Sequence, residues 1–122
     1  MTAPVPLLSI LLPAYNEEAC IASIVRETAC VLHGLGRPFE ILVVDDGSTD
    51  ATPARLKELA QEIPELRVLR LAANSGQSAA LGAAFRAARG GIFVTLDADG
   101  QNDPADIPAL VARLEECDLC CG

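Results

Sequence analysis

Continuous apolar runs recur along this chain, and between them the apolar spacing switches to that of a helix. Residues Leu7–Pro13 (LLSILLP) and Glu40–Asp45 (EILVVD) are apolar at odd and even positions alike. A strand accepts that pattern when both of its faces are covered. Between them, Ile21, Ile24, Val25, Thr28, Ala29 and Leu32 recur at helical spacing, predicting a helix from about Glu17 to Leu32 that Gly34 and Gly36 stop.

The alternation continues. A polar turn, DDGSTDATP, leads into a helix marked by Leu56, Leu59, Ala60 and Ile63, with Pro53 in its first turn and Pro64 closing it. Arg67–Leu71 reads as a third strand, and its two arginines suit a sheet edge. Asn74-Ser75-Gly76 opens an Ala-rich helix through Ala80, Leu81, Ala84, Phe85 and Ala88, ended by Gly90-Gly91. Ile92–Asp97 is a fourth strand. Asp103 and Pro104 then start a helix carrying Ile107, Leu110, Val111 and Leu114 on one face. Asp118–Cys121 begins a fifth strand. Strands alternating with helices predict an α/β fold: one domain over residues 1–122, a mostly parallel sheet, and helices on both faces. The chain reads as cut short at Gly122.

Composition narrows the partners. Hydrophobic residues make up 51% and aromatics 3%, so the core is built from Ala, Leu, Val and Ile. A formal charge of −8 repels polyphosphate backbones and argues against nucleic acid. A metal can still bring a phosphorylated ligand to an acidic protein. Five cysteines (Cys20, Cys30, Cys117, Cys120 and Cys121) with no secretory leader suggest reduced thiols in a cytosolic setting. Cys117-x-x-Cys120 lacks the second pair or nearby His of a zinc site, and reads as structural thiols. The opening PVPLLSILLPA lacks a basic start and is too short to span a bilayer.

The polar motifs follow the strands. Pro13-Ala14-Tyr15-Asn16-Glu17 follows the first, Asp45-Asp46-Gly47-Ser48 the second, Ala73-Asn74-Ser75-Gly76 the third, and Asp97-Ala98-Asp99-Gly100-Gln101 the fourth. All lie at the carboxyl ends of parallel strands, where open α/β sheets bind ligands. Each motif alone could be a turn or a helix cap. Asp97 and Asp99 can aim both carboxylates to one side of an extended segment, and with an amide oxygen they form a hard set suited to Mg²⁺ or Mn²⁺. No GxxxxGK[ST] loop and no GxGxxG is present. The single histidine, His33, sits near the end of the first helix, away from the crevice.

LSILLPAYNEE, ILVVDDGSTDAT, NSGQSAAL and VTLDADGQNDPADIP resemble family 2 glycosyltransferases of the GT-A fold, in particular the dolichyl- or polyprenyl-phosphate sugar transferase branch. The resemblance covers the donor-binding half of such enzymes. It implies a Rossmann-like nucleotide-diphospho-sugar transferase fold in which Pro13, Tyr15 and Glu17 line the nucleobase and ribose pocket. Asp46, with the Val44 backbone nearby, would contact base or ribose. Asp97 and Ala98 would lie along the donor, with Asp97 acting on the ribose or sugar. Asp99 and Gln101 would ligate Mg²⁺ or Mn²⁺, and Asp97 and Asp99 are the implied catalytic residues. The implied reaction is inverting transfer from a nucleotide-diphosphate sugar to a polyprenyl phosphate, in the cytoplasm at the inner face of the cell membrane. A non-catalytic donor-binding module and a saccharide-hydroxyl acceptor are the alternative readings.

Overall fold

The computed structural model describes residues 7–96 and 104–116. Its elements run β1 (Leu8–Ala14), α1 (Ile21–Leu35), β2 (Phe39–Asp45), α2 (Thr52–Glu62), β3 (Leu66–Arg70), α3 (Gln77–Ala87), β4 (Ile92–Thr95), a 3₁₀ turn (Pro104–Asp106) and α4 (Ile107–Glu116). The strands form one sheet in the order β3-β2-β1-β4, and every pairing is parallel. The chain steps outward from β1 through β2 to β3. It then returns past β1 to β4, so the strand order reverses beside β1.

Two apolar layers cover the sheet. Leu8, Ile10, Leu12 and Ala14 of β1, with Phe39, Ile41 and Val43 of β2, pack against α1, α2 and α4. The alternate residues Leu11, Leu42 and Val44 pack against α3 through Ala80 and Ala84. Both parities of β1 and β2 are therefore buried, as the continuous apolar runs predict. Small alanines at the α3 contact let that helix approach the sheet closely.

β3 is an edge strand, with Arg67 and Arg70 on it, as expected. Beyond one-residue shifts at element ends, three boundaries differ from the sequence reading. α1 begins at Ile21 rather than Glu17, because residues 17–20 form a turn in which the Glu17 carbonyl accepts from the Cys20 and Ile21 amides. Gly34 lies inside α1, and the stop is Gly36, whose left-handed φ of 67° and N–H to the His33 carbonyl end the helix. α4 begins at Ile107, not Pro104. An α-turn there would need an N–H from residue 108 to the Pro104 carbonyl, and Pro108 has none, so a 3₁₀ turn precedes the helix. The proposed end of the fourth strand at Asp97, the Asp103 cap and the fifth strand at Asp118–Cys121 lie outside the described residues.

Candidate donor-binding site

The carboxyl ends of β1 and β2 are joined directly, by the Asp46 amide donating to the Ala14 carbonyl at 2.8 Å. Pro13 pairs with Val44 in the parallel register, and Ala14 with Asp45. Pro13, Tyr15, Val44 and Asp46 are thus neighbours across two adjacent strand ends. Tyr15 is 42% exposed, which suits a ring that meets a ligand better than one that fills a core. The Val44 side chain is fully buried toward α3. Glu17 opens the turn that precedes α1, and its amide donates to Thr52 Oγ1 at 2.9 Å.

Asp46 is 3% exposed, and each of its carboxylate oxygens accepts from one backbone amide, which leaves each a further lone pair. Its Oδ1 accepts from the Ser75 amide at 2.8 Å and its Oδ2 from the Gly76 amide at 2.9 Å. The carboxylate therefore ties the loop after β3 to the end of β2. Gly47 lets the two loops touch. It has φ 74°, and a Cβ there would stand 2.6 Å from the Asn74 nitrogen. Asp45 is buried behind this contact. Its Oδ1 accepts from the Ser48 amide at 3.0 Å, and Arg70 Nε lies 3.7 Å from its Oδ2.

The loop after β1 is bound to the loop after β2 by a second set of hydrogen bonds. Asn16 Oδ1 accepts from the Thr49 amide at 2.8 Å and the Asp50 amide at 3.3 Å, while the Asn16 amide donates to Ser48 Oγ at 2.9 Å. Asp50 caps the start of α2, its Oδ1 accepting from the Thr52 amide and hydroxyl. Accepting these bonds outweighs desolvation and holds the Asp50 carboxyl below its ordinary range. These contacts join residues 32 to 35 positions apart. The polar string GSTDAT signals a cap, but nothing in it announces Asn16 as the partner.

Asp97, Ala98, Asp99 and Gln101 lie outside the described residues. The approach to them is described: β4 runs beside β1, and the Leu96 amide donates to the Leu11 carbonyl at 3.0 Å. Among the described residues no group of three or more His, Cys, Asp or Glu side chains could hold a metal. Cys20 is half-buried and Cys30 exposed, both as free thiols.

Loops from β1, β2 and β3 gather at the carboxyl edge of a parallel sheet, beside the point where strand order reverses, which is where open α/β domains place a ligand crevice. The chain belongs to glycosyl transferase family 2, whose sequence model matches residues 9–122. It is 46% identical over 112 residues to the undecaprenyl-phosphate 4-deoxy-4-formamido-L-arabinose transferase of Pseudomonas paraeruginosa, covering 90% of this chain and 33% of that protein. The chain spans about a third of the length of the curated relatives it matches. Among solved structures it resembles glucosyl-3-phosphoglycerate synthase from Mycobacterium tuberculosis in complex with Mn²⁺, uridine diphosphate and glucosyl-3-phosphoglycerate. That match has a TM-score of 0.73 and 32% identity, and covers 89% of this chain and 39% of the other. It also resembles the mannosyltransferase PcManGT from Pyrobaculum calidifontis in complex with GDP-Man and Mn²⁺. There the TM-score is 0.71 and the identity 30%, over 85% of this chain and 30% of the other. The GT-A architecture is therefore the fold of this chain.

Proposed function

We propose that this chain is the donor-binding part of a glycosyltransferase that moves a sugar from a nucleoside diphosphate to a polyprenyl phosphate, with inversion at the anomeric carbon. The observation that carries the reading is the 46% identity, across 90% of the chain, to an undecaprenyl-phosphate sugar transferase. The neighbours with UDP and GDP-Man support a nucleotide-sugar donor, and their Mn²⁺ supports a divalent cation. Tyr15 offers the exposed ring against which a nucleobase stacks, with Pro13 and Glu17 on either side. Asp46 serves base or ribose while its oxygens hold the Ser75 and Gly76 amides.

The oxygen donors Asp99 and Gln101 match the preference of Mg²⁺ and Mn²⁺, and they are the residues that would hold the cation. Bound there, a cation supplies charge neutralisation for the departing diphosphate. Asp97 and Ala98 would lie along the nucleotide-diphosphate sugar, with Asp97 serving the ribose or sugar. A phosphate oxygen of the lipid is anionic near neutral pH, so the attack on the anomeric carbon needs little help from a protein base. Transfer takes place at a membrane surface, where the lipid acceptor resides. Among the described residues no helix is long and apolar enough to cross a membrane.

Thermal unfolding with Mn²⁺, with UDP or GDP, and with each pair tests donor binding. A ligand at a hundred times its Kd stabilises the fold by about 2.7 kcal/mol. The expected result is an upward shift that needs both metal and nucleotide and is lost in Asp99→Ala. A well-folded chain that shifts with neither nucleotide would overturn the reading.

A further inference from the structure

Asn16 is the one described non-glycine residue with a positive φ, at 52°. Asparagine tolerates this left-handed conformation better than most residues, but it is still an uncommon one. It persists when the surroundings over-determine it, and here they do. The side chain accepts from the Thr49 and Asp50 amides, and the backbone amide donates to Ser48 Oγ. On the C-terminal side, the Glu17 amide donates to Thr52 Oγ1 and the Glu18 amide to Asp50 Oδ2 at 3.3 Å. The Ala51 amide returns a bond to Glu18 Oε2 at 3.3 Å. The segment from Asn16 to Glu18 is thereby pinned, residue by residue, to residues 48–52.

The strap is anchored on buried Ser48 and Thr52, but Asn16, Glu18 and Thr49 are exposed, so the clamp that the Asn16 side chain adds buries little apolar surface and is a poor device for stabilising the fold as a whole. It does fix the backbone of Tyr15 and Glu17, which flank the left-handed residue. We propose that Asn16 is a positioning residue for the nucleotide: its side chain clamps the loop after β1 onto the loop after β2 and so presents Tyr15 and Glu17 in a preformed base pocket. The proposal rests on the donor-binding reading above. Its physical content is preorganisation, because a loop ordered before binding need not be ordered by the ligand.

Three variants of the whole chain separate the terms. Asn16→Gly keeps the left-handed conformation and loses the clamp. Asn16→Ala loses both. Asn16→Asp keeps the acceptor oxygen but adds a charge beside Asp50 and Glu18. It is therefore compared at about 0.15 M and 1 M NaCl, where the screening length falls from about 8 Å to about 3 Å and the contribution of the charge is read out and subtracted. Dissociation constants for UDP and GDP with Mn²⁺ are read by calorimetry, beside amide hydrogen exchange and the melting temperature. The expected result is binding at least tenfold weaker in the Gly and Ala variants and within threefold of wild type in the Asp variant. The Thr49 and Asp50 amides exchange faster in the Gly variant, while those of β1 and β2 do not. Wild-type affinity in Asn16→Gly, or an Asp variant as weak as Ala, would overturn the positioning role and leave donor binding standing. A wild-type chain that binds neither nucleotide would overturn both.

Discussion

Glu40 shows how a buried charge is held by groups far away in sequence. Its side chain is 7% exposed. Oε2 accepts from Ser9 Oγ at 2.6 Å and from the Arg89 amide at 2.7 Å, and Oε1 from Arg67 Nη1 at 2.7 Å. Desolvation alone would raise its pKa, but the bonds from Ser9, Arg89 and Arg67 together outweigh it and hold the carboxyl below the ordinary range. A depressed folded-state pKa contributes stability above the unfolded carboxylate pKa, and that contribution is lost as pH falls through the folded value. Glu40→Gln is expected to cost about 1.5–3 kcal/mol in urea unfolding at pH 7, the range for hydrogen bonds to a charged group, because Arg67 is partly exposed and keeps its bond to the Ala87 carbonyl. The gap between variant and wild type should narrow as pH falls below about 4.3, the ordinary glutamate pKa. An equal gap at pH 7 and pH 3 would contradict this account. Gly47 is the other decisive single residue. Gly47→Ala puts a methyl into the Ala73–Asn74 backbone, and is expected to cost about 1–3 kcal/mol by the same unfolding measurement.

Among the elements, α3 depends on small side chains. Ala80 and Ala84 are fully buried against Leu11, Leu42 and Val44. Ala84→Leu should lose about 1–3 kcal/mol through overpacking, readable as a lower urea midpoint. Strands and helix faces were legible from the sequence because burial on both sheet faces leaves unbroken apolar runs, and because Ile21, Ile24, Val25, Ala29 and Leu32 keep helical period. Helix starts were less legible. The first turn of α1 is displaced to Ile21 by a strap whose partners lie beyond residue 47, and local propensity carries no trace of it. The site divides the same way. Position at strand ends marked Pro13, Tyr15 and Asp46, whereas the roles of Asn16 and Asp46 in binding neighbouring loops follow from contacts about 30 residues apart.

For the whole molecule, the net charge of −8 sets a mean self-repulsion that a few ion pairs relieve only locally. The Arg26–Glu62 pair is bidentate, with both bonds at 2.9 Å, but it is about half exposed on both sides, so its attraction acts locally and is open to screening by salt. Raising NaCl from about 0.01 M to 0.15 M shortens the screening length from about 30 Å to about 8 Å. The melting temperature should rise across that range. A fall would mean that specific ion pairs outweigh the general repulsion.

The central place of β1 has a consequence for how the chain is made. Of the described strands β1 is made first, yet it has β2 on one side and β4 on the other, and β4 begins only at residue 92. A nascent chain that has reached Arg70 can assemble β1, β2 and β3 with their helices, yet β1 still offers an open hydrogen-bonding edge. Its α3-side residue Leu11 is also uncovered until α3 and β4 arrive. Partly made parallel sheets of this kind are the species that pair wrongly or aggregate. When β4 arrives, its lead-in loop brings the Arg89 amide to Glu40 and the Gly90 amide to Ser9 Oγ at 2.9 Å, so β4 closes onto partners set in place by β1 and β2.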